Sequence, residues 1–175
     1  MRRRDIVKKQ SPSEAQKSYG NYKKLHILWN GLRISVENPR GSRRSGKDKN
    51  GSEWSRTLTH DYGYVRGSEG KDGDHVDVFL SPKYRSAKNV HIIDQLDPET
   101  GKFDEHKVMI GFDTQDSARR AYMENYQRGW KGCGDITTMS VPAFKIWVFS
   151  PKSKSPVSPV VKRAYVALYE MFAVK

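Results

Sequence analysis

At 175 residues, 35% hydrophobic and with a formal charge of +12, the chain has the size of one domain that buries a real core. No apolar run approaches the roughly 20 residues that cross a bilayer, so the composition argues against a membrane-spanning role. Cys133 is the only cysteine, which rules out an intrachain disulfide; with a charged opening that no apolar stretch follows, the expectation is a cytoplasmic protein.

The charge is unevenly spread, with a net +10 over residues 1–60, −4 over 61–115 and +6 over 116–175. A basic total suggests a polyanionic partner, and an acidic middle suggests a bound cation or a catalytic centre. An enzyme that handles phosphates through metal ions accommodates both.

Residues 1–20 read as a flexible basic arm with at most a helical turn near Glu14 to Lys17. Asn30-Gly31 between two alternating runs predicts a hairpin whose second strand buries Leu32, Ile34 and Val36. Asn38 to Glu53, rich in Gly, Ser, Arg and Lys, reads as a mobile basic loop, with Arg40, Arg43, Arg44 and Lys47 available to grip phosphate. Strands are expected around Tyr62-Gly63-Tyr64, over Val76 to Leu80, and over Asn89 to Leu96 and Lys107 to Phe112. The last two are joined by the turn Asp97-Pro98-Glu99-Thr100-Gly101. Several short strands at close spacing predict an α+β fold, a small closed antiparallel β-barrel of about five strands, OB-like, flanked by two or three helices.

Ser117 to Tyr126 has helical spacing, with caps available among Asp113 to Asp116. Val141 to Phe149 is apolar and fits a short helix or a strand. Ser150 to Pro159 reads as a Pro, Ser and Lys linker, and Val160 to Val174 as a final amphipathic helix. The expected organisation is an arm over 1–20, one domain over 21–149, and a linker with helix over 150–175.

Asp72-Gly73-Asp74-His75-Val76-Asp77 puts three carboxylates within one turn-to-strand junction. Anions this close raise one another's pKa unless a cation intervenes, and hard oxygens suit Mg²⁺; a solvated acidic turn is the bland alternative. Asp94, Asp97, Asp104 and Glu105 surround the next hairpin, as a two-metal site needs carboxylates from more than one strand. Lys107 follows directly, and Tyr62 and Tyr126 add donors. The histidines show no zinc-site spacing.

D-G-D-H-V-D-V over Asp72 to Val78 resembles the signature of the family I soluble inorganic pyrophosphatases, with His75 where that family usually has Pro. Tyr62-Gly63-Tyr64 resembles its Y-G-Y, Val36-Glu37-Asn38-Pro39 a strand end, Glu105-His106-Lys107 its D-x-K, and Asn125-Tyr126 before Trp130 its H-Y-K segment. The stretch from about Ser18 to Trp147 is also similar to the pyrophosphatase-like domain carried by phages and mobile elements, the polyvalent-protein type, in which His75 belongs to the pattern.

The resemblance implies hydrolysis of pyrophosphate, or a related phosphoanhydride, by a metal-activated water, with Mg²⁺ or Mn²⁺ as cofactor. Asp72 and Asp77 would bind the activating metal with Glu105, Asp104 being its rival. Asp74 would orient or deprotonate the attacking water. Asp97, or Asp94 if the hairpin register differs, would hold the substrate-borne metal. Glu37 would act near the metals through water, while Lys107, Tyr62 and Tyr126 bind phosphate. Arg44 and Arg56 stand for the basic substrate residues, with Arg43 and Lys47 as substitutes. Gln127 stands where the family has Lys, which leaves Arg128 as the replacement. Two alternatives stay open, an inactive or retargeted domain that binds phosphates, nucleotides, nucleic acid or a host protein, and a scaffold in a mobile element. The basic ends are either nucleic-acid contacts or solubilising tails, and a homo-oligomer is left open.

Overall fold

The computed structural model describes residues 24–47 and 51–157; the arm, the turn near Glu14 and the helix over 160–174 lie outside them. The chain opens with β1 (Leu25–Trp29) and β2 (Leu32–Asn38), paired antiparallel about Asn30-Gly31. Both turn residues have positive φ, 47° and 82°, which matches the twist of a two-residue hairpin. Leu32, Ile34 and Val36 are buried as expected.

The basic stretch that follows is not simply a loop. Its described part forms β3 (Arg43–Lys47), which pairs with β4 (Glu53–Thr57) in a separate two-stranded ribbon that sets Arg44 opposite Arg56. Then come β5 (Asp61–Val65), β6 (Asp77–Leu80), β7 (Asn89–Leu96) and β8 (Phe103–Ile110), helix α1 (Gln115–Met123), β9 (Cys133–Ser140) and helix α2 (Val141–Trp147). Thr114 caps α1 by accepting from the Ser117 amide, and Ser140 caps α2.

Seven strands make one sheet in the order β1-β2-β5-β6-β8-β7-β9. This corrects the expected closed barrel of about five strands: β1 and β9 are the two ends of an open sheet, and β6 with β8 is a parallel pair. The physical reason is that the sheet has two faces to bury. Val78, Phe79 and Leu80 are consecutive and all buried, as are Val90 to Gln95, a pattern of strands covered on both sides. Helix α1 covers one face through Ala118, Ala121 and Tyr122, over Phe79, Ile93 and Met109. Helix α2 covers the other through Phe144 and Trp147, over Ile34, Val78, Ile92, Val108 and Ile110. The stretch after α2, read as a linker, is folded against this rear face over its described part: Pro151–Lys154 is a 3-10 helix and Val157 is buried.

Gly63 positions the tyrosines on either side of it. A Cβ there would collide with the Ser35 carbonyl of β2, so only glycine lets the strands close at this point. Tyr62 and Tyr64 then share the face covered by α1.

Candidate active site

On that face, alternate residues of β6, β7 and β8 converge. Lys107 of β8 is almost fully buried, with its Nζ 2.5 Å from Asp77 Oδ2 and 2.8 Å from Glu105 Oε2. The Lys107 ammonium also donates to the Tyr62 hydroxyl at 3.2 Å, and that hydroxyl donates a short hydrogen bond to Asp77. Burial alone would lower the Lys107 pKa; Tyr62, Asp77, Tyr126 and Glu105 outweigh it and hold the pKa well above the usual lysine range. Lys107 is therefore a fixed cation.

The carboxylates around it are not fully neutralised. Burial pushes the Glu105 pKa up; Lys107 pulls it back, while Asp77 and Asp104 add to the rise. Gln95 of β7 organises the second rank. Its amide donates to Glu105 at 2.8 Å and to Asp104 at 3.3 Å, and its carbonyl accepts from Tyr122 and Tyr126, each at 2.8 Å. Burial raises the Tyr62 and Tyr126 phenols, so both are donors at neutral pH.

Arg44 reaches in from the β3–β4 ribbon. Its guanidinium lies 4.5 Å from the Tyr62 ring centre and 5.7 Å from that of Trp54. A cavity of about 470 Å³ opens beside these groups, with Arg44, Lys47, Arg56 and Lys107 as its cations and Asp97, Asp104 and Glu105 among its carboxylates.

The other expected residues divide. Asp72 and Asp74 are exposed on the loop before β6, where Asp72 Oδ1 accepts from the Asp74 amide at 3.1 Å. They do not line the cavity. His75 stacks on Tyr64 with ring centres 4.8 Å apart and contacts the Ser68 carbonyl at 2.7 Å, which pins the loop. Glu37 accepts from Lys24 at 2.6 Å beside Tyr64. Asp97 caps its turn by accepting from the Glu99 and Thr100 amides. Arg128 is exposed and does not line the cavity; Gln127 does.

Asp94, the alternative to Asp97, lies on the other face. Successive strand residues face opposite ways, so with Gln95 on the site face Asp94 points to the rear. It lies 3.0 Å from His106 Nδ1 and accepts from the Val157 amide at 3.1 Å, sealed from the cavity. The sequence alone does not single out Gln95, Trp54 or Trp130 as site residues. A polar Gln95 at the end of an apolar strand was the available signal for the first.

The donor chemistry suits Mg²⁺: hard carboxylate oxygens whose mutual repulsion one lysine does not cancel. Among the described residues, however, no three His, Cys, Asp or Glu side chains stand close enough to enclose an ion.

A model of the inorganic pyrophosphatase family matches residues 14–149. Among solved structures, an inorganic pyrophosphatase from Coxiella burnetii is 16% identical with a TM-score of 0.31, covering 62% of this chain and 82% of its own. A protein described as an inorganic phosphatase from Anaplasma phagocytophilum is 15% identical with a TM-score of 0.36, covering 79% and 93%. Likenesses at these scores add nothing to the family match. No curated protein matches. The family model spans most of the chain, including every strand that supplies the Asp77, Glu105 and Lys107 cluster, and the chain belongs to the inorganic pyrophosphatase family.

Proposed function

We propose that this chain hydrolyses inorganic pyrophosphate to phosphate with a divalent cation, Mg²⁺ or Mn²⁺, at the cluster built on Asp77, Glu105 and Lys107. The observation that carries the reading is a buried lysine held charged between two carboxylates at the edge of a cavity that also contains Arg44 and Arg56. Pyrophosphate is so anionic that water attack is opposed until cations drain its charge.

In this reading Asp72 and Asp77 would hold the activating cation with Glu105, Asp104 being its rival, and Asp97 rather than the rear-facing Asp94 would hold the substrate-borne one. When bound, Mg²⁺ supplies Lewis-acid charge neutralisation and lowers the pKa of a coordinated water. Asp74 takes the proton of the attacking water. Lys107 and Arg44 neutralise phosphoryl oxygens, Tyr62 and Tyr126 turn their hydroxyls from Asp77 and Gln95 to donate to them, and Arg56 draws the substrate to the mouth. Glu37 acts at one remove, through water. Gln95 fixes Glu105 and Tyr126 in place. The division into a basic arm over 1–20, a catalytic body over 21–149 and a tail over 150–175 belongs to the same proposal, as does its origin in a phage or mobile element.

A second reading, a phosphate-binding domain with weak or no turnover, is favoured by one observation: Asp77 and Glu105 both spend an oxygen on Lys107, and no three ligands converge among the described residues. Phosphate release from pyrophosphate with Mg²⁺, Mn²⁺ or Co²⁺, against the same protein in chelator, separates the two. Metal-dependent release is expected; folded protein that releases none with any of the three leaves only the binding domain.

A further inference from the structure

Four tryptophans divide between two environments. Trp29 and Trp147 are buried in the rear core, whereas Trp54 and Trp130 are half-buried and line the active-site cavity. Each of the latter pair lies against a glycine. A Cβ on Gly46 would come within 2.8 Å of the Trp54 indole, and one on Gly132 would collide with Trp130. Trp130 is further fixed by stacking on Tyr126, with ring centres 4.6 Å apart and planes 12° from parallel, and by donating from Nε1 to the Tyr122 hydroxyl at 2.8 Å. Leu58, Phe79 and Pro98 extend the apolar lining.

Pyrophosphate has no apolar surface to set against such walls, and it is small for the space. A cavity of about 470 Å³ falls in the range of roughly 300–1,000 Å³ that encloses a larger organic ligand. Cations and half-buried indoles lining one cavity suit a ligand that joins phosphates to a flat ring.

We propose that the cavity accepts nucleoside diphosphates, with the phosphates at Lys107 and Arg44 and the base against Trp54 and Trp130. The inference rests on the phosphoanhydride reading for its reaction but not for its binding. Hydrolysis forms one bond from water oxygen to the terminal phosphorus and breaks that phosphorus's bond to the bridging oxygen. The bridging oxygen leaves with its electron pair on the nucleoside monophosphate, inorganic phosphate is the other product, and the proton of water passes by way of Asp74 to solvent. Stacking is tolerant of base identity because every base offers a π-face.

The test is equilibrium binding of ADP and of pyrophosphate to the full chain in Mg²⁺, by calorimetry, with phosphate release measured in parallel. ADP is expected to bind more tightly than pyrophosphate. Trp54→Leu should lower the affinity ratio of ADP to pyrophosphate by roughly 5- to 150-fold, the range for losing one base–aromatic stack, and Trp54→Phe should recover most of it, which separates lost stacking from a misfolded ribbon. ADP binding no tighter than pyrophosphate, or an unchanged ratio in Trp54→Leu, overturns the proposal. Tight ADP binding without hydrolysis of either compound would uphold it while sinking the pyrophosphatase reading; pyrophosphate hydrolysis without ADP binding would do the reverse.

Discussion

The two faces of the sheet each carry a buried polar cluster, with Lys107 and His106, neighbours on β8, turned to opposite sides, and the clusters have opposite characters. On the α1 side, Lys107 serves Asp77 and Glu105 together and the cluster opens onto a cavity. On the α2 side, Asp94 meets His106, the second Asp94 oxygen takes the Val157 amide, and His106 Nε2 contacts the Ser155 carbonyl at 3.0 Å. Trp147 closes over His106 with ring centres 4.9 Å apart. A sealed pair with its remaining groups occupied fastens the chain after α2 to the sheet. An open cluster keeps its carboxylates within reach of a ligand in the cavity. One residue of register decides which.

The largest effect that follows is on turnover. Lys107→Met leaves Asp77 and Glu105 repelling each other and removes a fixed charge from the substrate; kcat should fall by about 10²-fold or more, and wild-type kcat in folded Lys107→Met would place the chemistry elsewhere. On the rear face the expected loss is of stability instead. Asp94→Ala should cost about 1–3 kcal/mol by leaving the buried Val157 amide unsatisfied, while the Mg²⁺ concentration for half-maximal turnover stays at the wild-type value; a shift in that concentration would return Asp94 to the metal site. Thr114→Ala, which uncaps the helix over the site face, should lower stability by about 1 kcal/mol in urea unfolding.

His91 of β7 gives the smallest effect. Its Nδ1 lies 2.9 Å from Thr138 Oγ1 and its Nε2 3.0 Å from the Phe112 carbonyl, which suits the neutral ring with Nε2 protonated. Burial holds its pKa below the ordinary value. As pH falls, the unfolded chain therefore takes up this proton first, so the His91 contribution is complete above about 6.5 and declines below it until the folded value is passed. Stability measured between pH 7 and 5 should fall less steeply in His91→Gln.

The sequence made the first hairpin legible because Asn30-Gly31 is chemically specific about its turn, and it made the cluster legible through Asp77, Glu105 and Lys107. It misled on closure. Counting strands could not show that continuous apolar runs such as Val78-Phe79-Leu80 need cover on two faces, nor that β9, with Thr137 and Thr138 inside it, is a strand at all. Asp94 looked like a metal ligand because carboxylate spacing carries no information about which face a strand residue takes until the register is known. Gln95 and the cavity tryptophans escaped notice because their partners are far along the chain: Tyr122 and Tyr126 for the amide, Gly46 and Gly132 for the indoles.

The central claim, that Asp77 joins a cation-dependent hydrolytic site on the α1 face, is tested most directly by titrating Mg²⁺ into wild-type and Asp77→Asn protein and following phosphate release from pyrophosphate. Wild-type turnover should rise from the chelated baseline and saturate with Mg²⁺, and Asp77→Asn, folded by circular dichroism, should stay at baseline throughout. Turnover that ignores Mg²⁺, or an Asp77→Asn curve that overlays the wild type, would contradict the account.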